Sequence, residues 1–68
     1  MNEETLNLSV RKFLKTVGVQ AQREIEHAVA KAIAGGTIAG TETFSATMTL
    51  AIEAVQLNVK FDGEVKLE

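Results

Sequence analysis

The sequence predicts an α+β fold, with a helical hairpin of two helices packed on a three-stranded antiparallel meander, in the order ααβββ, as one domain over residues 1–68. Three observations predict it. Apolar residues recur at helical spacing through the first half, the period changes to two from Thr43, and Gly18, Gly35-Gly36 and Gly63 punctuate the pattern.

Helix one is expected over about 3–17, because Leu6, Val10, Phe13, Leu14 and Val17 share one helical face. Asn2 is placed to cap it, Glu3 and Glu4 suit its positive end, and Gly18 supplies a left-handed stop. Helix two, about 20–34, repeats the spacing with Ile25, Ala28, Val29, Ala32 and Ile33 and ends at Gly35-Gly36. With so short a link, the two must fold back on each other or cross steeply.

Phe44, Ala46, Met48, Leu50 and Ile52 alternate with small polar residues, which predicts a strand over about 43–52. A second strand follows over about 55–61 and a third over about 64–67, separated by the turn signal Asp62-Gly63. A two-residue Asp62-Gly63 loop would oppose Val59 to Lys66. A three-residue Phe61-Asp62-Gly63 loop instead faces Val59 with Val65, Leu57 with Leu67 and Lys60 with Glu64, and is preferred. In the first hairpin the apolar set changes from even to odd numbers, so its loop holds an even count. Glu53-Ala54 is the shortest solution, but neither residue favours positive φ, and a four-residue loop or a bulge stays open. The expected core is Phe13, Leu14, Val29, Ile33, Phe44, Met48, Leu50, Leu57 and Val59.

Composition narrows function. A chain of 68 residues with no cysteine has neither disulfide nor thiolate metal site to staple a small core, which leaves oligomerisation. The net charge of -2, with both signs interspersed, gives no footprint for nucleic acid or anionic lipid. Met1-Asn2-Glu3-Glu4 is acidic where a secretory signal would be basic, and no apolar run approaches a membrane span, so a cytoplasmic protein is expected. Leu67-Glu68 matches a common expression-vector scar and carries less weight.

The run from Met1-Asn2-Glu3-Glu4-Thr5-Leu6 to Val17-Gly18-Val19, with Arg23-Glu24-Ile25-Glu26 and the closing Asp62-Gly63-Glu64, resembles DUF6494, a family of short bacterial proteins of unknown function. The resemblance covers the whole chain. It implies a bacterial origin and lends no catalytic or binding residue. Related chains carry glycines where this one has Glu53-Ala54, a departure that bears on the first turn.

Among candidate sites, Leu8, Arg11, Lys12 and Lys15 form a basic patch around a leucine on helix one, suited to an acidic partner or to being a solvated face. His27 stands between Arg23 and Lys31 with no second ligand at metal spacing, so no metal and no cofactor are expected. The glycine- and threonine-rich stretch from Gly35 to Thr41 follows a helix rather than preceding one and lacks the lysine of a phosphate loop, so it reads as a connector. No nucleophile has an identifiable base, and no enzyme is expected.

The feature that stands out is the first strand's edge. Thr43, Ser45, Thr47 and Thr49 carry good strand propensity and no charge to repel a neighbour. The expectation is a non-enzymatic interaction module that homodimerises by pairing this edge into a six-stranded sheet, unless the edge is covered by the connector or a helix end. The alternative is a winged-helix-like nucleic-acid binder using Gln20, Gln22 and Arg23, which Glu24 and Glu26 oppose.

Overall fold

A computed structural model describes all 68 residues. The chain divides into two compact units, Met1–Thr37 and Ile38–Glu68.

The first unit is one helix, α1 (Glu3–Ala34). Asn2 caps it, its Oδ1 accepting from the Thr5 N–H at 3.1 Å, with Glu3 and Glu4 in the first turn and Lys31 in the last. It ends in a Schellman arrangement, where Thr37 N–H reaches the Ala32 carbonyl at 2.9 Å, Gly36 N–H reaches Ile33 at 3.1 Å, and Gly36 takes φ +76°.

The expected helical hairpin is therefore absent, because Gly18 lies inside the helix. A single interior glycine costs about 1 kcal/mol relative to alanine, too little to interrupt a helix favoured on both sides. The apolar pattern also runs through it. Leu6, Val17 and Ala28 are spaced by eleven residues, as are Val10, Ala21 and Ala32, and Leu14 and Ile25. An eleven-residue repeat is about 3.67 residues per turn, which one continuous helix carries as a slowly winding stripe. Read as two separate sets, the winding mimics two helices.

The second unit is a hairpin of β1 (Thr43–Ile52) and β2 (Leu57–Lys66) joined by a 3-10 turn at Glu53–Val55. They pair antiparallel without a bulge, from Thr43 opposite Lys66 to Ile52 opposite Leu57. The first loop is thus the four-residue alternative, Glu53 to Gln56, closed by Gln56 N–H to the Glu53 carbonyl at 3.0 Å. Its one left-handed residue is Gln56, φ 54°, so Glu53 and Ala54 escape positive φ, and Val55 belongs to the turn rather than to a strand.

The three-stranded meander is also corrected. Asp62 and Gly63 are no turn; they stand mid-strand opposite Thr47 and Ala46, and the expected strands 55–61 and 64–67 merge into β2. Val59 faces Leu50, not Val65. The physical reason is parity. Polar residues at 58, 60, 62, 64 and 66 alternate with apolar ones and Gly63 without a change of phase, as a continuous strand requires, and ten β1 residues gain ten partners.

The result is a ribbon with one apolar face, where Phe44, Met48 and Leu50 oppose Val65, Phe61 and Val59, and one polar face. No residue of the expected core is buried. Val29, Phe44, Leu50 and Leu57 are half-buried, whereas Phe13, Leu14, Ile33, Met48 and Val59 are exposed. A lone helix and a two-stranded ribbon each offer one apolar face with no second layer of their own.

Candidate interaction edge

In a two-stranded ribbon both strands are edges, and which residues own the outward backbone groups is set by the ladder's parity. Leu67 N–H donates to the Glu42 carbonyl at 3.1 Å, which extends the register by one pair beyond Thr43 and Lys66. Opposed residues alternate between hydrogen-bonded and non-bonded pairs, so even-numbered residues of β1 turn their N–H and C=O groups toward β2. The outward groups of β1 belong to Thr43, Ser45, Thr47, Thr49 and Ala51; those of β2 belong to Asn58, Lys60, Asp62, Glu64 and Lys66.

The two edges differ chemically. The outward row of β2 carries four charges, the usual device against edge pairing, and that of β1 carries none. Thr43, Ser45, Thr47 and Thr49 are all exposed, and Thr47 Oγ1 donates across the strands to Asp62 Oδ1 at 3.1 Å.

The start of β1 is fixed by a brace that the sequence pattern does not reveal. The Glu42 carboxylate folds back to accept the N–H groups of Ala39 and Gly40, both at 2.8 Å, and of Thr41 at 3.0 Å. These bonds, Ala39's foremost, hold its carboxyl below the ordinary carboxylate value, because they favour the charged form. The connector's anion-binding amides thus serve the chain's own carboxylate.

The other candidates lie in the first unit. Leu8, Arg11, Lys12 and Lys15 fall at i, i+3, i+4 and i+7 of α1 and are all exposed, Leu8 by 59%. His27 is exposed beside a shallow open groove shared with Glu24, Ala28 and Lys31. No three His, Cys, Asp or Glu side chains gather as metal ligands, and no helix is long and apolar enough to cross a membrane.

A family model described as a family of unknown function, DUF6494, matches residues 1–68. No curated protein and no solved structure matches the chain.

Proposed function

We propose that this chain, which belongs to DUF6494 along its whole length, is a non-enzymatic interaction module that forms a homodimer through β1. The observation that carries this reading is the contrast between the two edges: the outward row of β1 is uncharged and rich in threonine, and that of β2 is guarded by Lys60, Asp62, Glu64 and Lys66.

A two-fold axis at Thr47 uses the whole strand. Thr47 then faces its own copy, Ser45 faces Thr49 of the other chain, and the two ribbons make one four-stranded antiparallel sheet. A chain with no cysteine needs no oxidising compartment to fold, which fits a cytoplasmic role. Nothing favours a winged-helix reading, since continuous α1 has no turn to set off a recognition helix.

Light scattering on the purified protein tests the proposal. A dimer is expected at micromolar concentration. Thr47→Lys should dissociate it by setting two lysines face to face, while the new lysine, opposite Asp62, leaves the hairpin itself favoured. Lys12→Ala should leave the mass unchanged. A monomeric parent chain would overturn the reading.

A further inference from the structure

The row of outward backbone groups on β1 is closed at both ends by the chain itself. At the far end, Glu53 lies in the 3-10 turn and its carbonyl already accepts the Gln56 N–H at 3.0 Å. At the near end, ladder parity makes Thr41 the next residue beyond Thr43 whose N–H a second strand could take. That N–H donates instead to Glu42 Oε1 at 3.0 Å. The same oxygen accepts the Gly40 N–H at 2.8 Å, and Oε2 accepts that of Ala39 at 2.8 Å. Bonds to an ionised carboxylate are stronger than those between neutral groups, and Gly40, at φ +103°, bends the backbone around this one.

Side chains along the edge do little to choose a register. Thr43, Ser45, Thr47 and Thr49 repeat one small hydroxyl chemistry and the residues between them are apolar, so sliding the strand against its copy by two residues replaces like with like. What separates the registers is how many outward residues find a partner. With the row running from Thr43 to Ala51, a two-fold axis at Thr47 pairs every member. An axis at Ala46 leaves Ala51 of each chain unpaired, and one at Met48 leaves Thr43 unpaired. Were Thr41 free to join, the row would centre on Ala46 instead, and every member from Thr41 to Ala51 would pair there.

We infer that Glu42 sets the register of the β1 pair: by occupying the Thr41 N–H it ends the edge at Thr43 and holds the two-fold axis at Thr47 rather than Ala46. This rests on the homodimer through β1 and makes Glu42 its positioning residue, acting through the backbone group it withholds.

Disulfide mapping tests it, on a chain with no cysteine of its own. An axis at Thr47 sets Thr47→Cys opposite its own copy, about 5.5 Å away between Cα atoms. Two copies of Ala46→Cys then lie on a diagonal of about 7–8 Å, longer than a disulfide spans. An axis at Ala46 reverses the two. In a glutathione redox buffer, chains with Glu42 in place should give about tenfold more disulfide dimer from Thr47→Cys than from Ala46→Cys, and Glu42→Ala should invert that preference. Glu42→Gln, which weakens the brace but keeps an acceptor oxygen, should move the ratio the same way by about threefold, and it serves if Glu42→Ala does not fold. A ratio unchanged in every folded variant, or Ala46→Cys preferred with Glu42 in place, overturns the inference and leaves the homodimer standing. A monomeric parent chain, or a dimer that links at neither position, overturns the β1 homodimer itself.

Discussion

Thr47 Oγ1 donates to Asp62 Oδ1 at 3.1 Å from directly opposite positions in the middle of the two strands. That one contact places Asp62-Gly63 inside a ladder and aligns the polar side chains on one face of the ribbon. It also makes Thr47 the residue where ribbon and outward edge meet.

Gly63 follows from this placement. A Cβ added there meets nothing within 4 Å, and the residue does not take positive φ. Gly63→Val should therefore stabilise the hairpin by about 0.5–1 kcal/mol, through lower backbone entropy in the unfolded chain and better strand propensity. Thermal unfolding checks it; a left-handed turn glycine would give destabilisation instead.

Gly18 is tested in the same way on the helix. Its Cβ position is open, so Gly18→Ala should raise the stability of α1 by about 1 kcal/mol. Circular dichroism on heating reads this as a higher midpoint with helicity retained. A loss of helicity would mean that the helix breaks there.

The Glu42 brace sets a pH dependence. Its folded carboxyl titrates below its unfolded value, Ala39 N–H being the largest cause. The carboxylate thus contributes stability above the unfolded value, and that contribution is lost as pH falls through the folded value. Amide shifts of Ala39, Gly40 and Thr41 should move together in that acidic window, and Glu42→Gln should abolish the step. Amides indifferent to pH in the parent chain would remove the brace.

Much of this architecture is legible in the residues. Asn2 marks the start of α1, Gly35-Gly36 its end, and the alternation from Phe44 to Ile52 gives β1 its bounds. Gly18 and Asp62-Gly63 mislead because local turn chemistry is a weak preference, outweighed by an apolar stripe or alternation that continues in phase on both sides. The edge residues Thr43, Ser45, Thr47 and Thr49 are visible as an uncharged row, but the contrast with Lys60, Asp62, Glu64 and Lys66 emerges only in the correct register. Glu42 is hidden altogether, since its backward reach depends on a connector in which Gly36 and Gly40 take positive φ.

Amide hydrogen exchange on the parent chain, read residue by residue, tests the edge-paired dimer most directly. The outward N–H groups of Ser45, Thr47 and Thr49 should exchange slowly, protected by the second copy, while those of Lys60, Asp62 and Glu64 on the opposite edge exchange fast. Equally fast exchange along both edges would contradict the account.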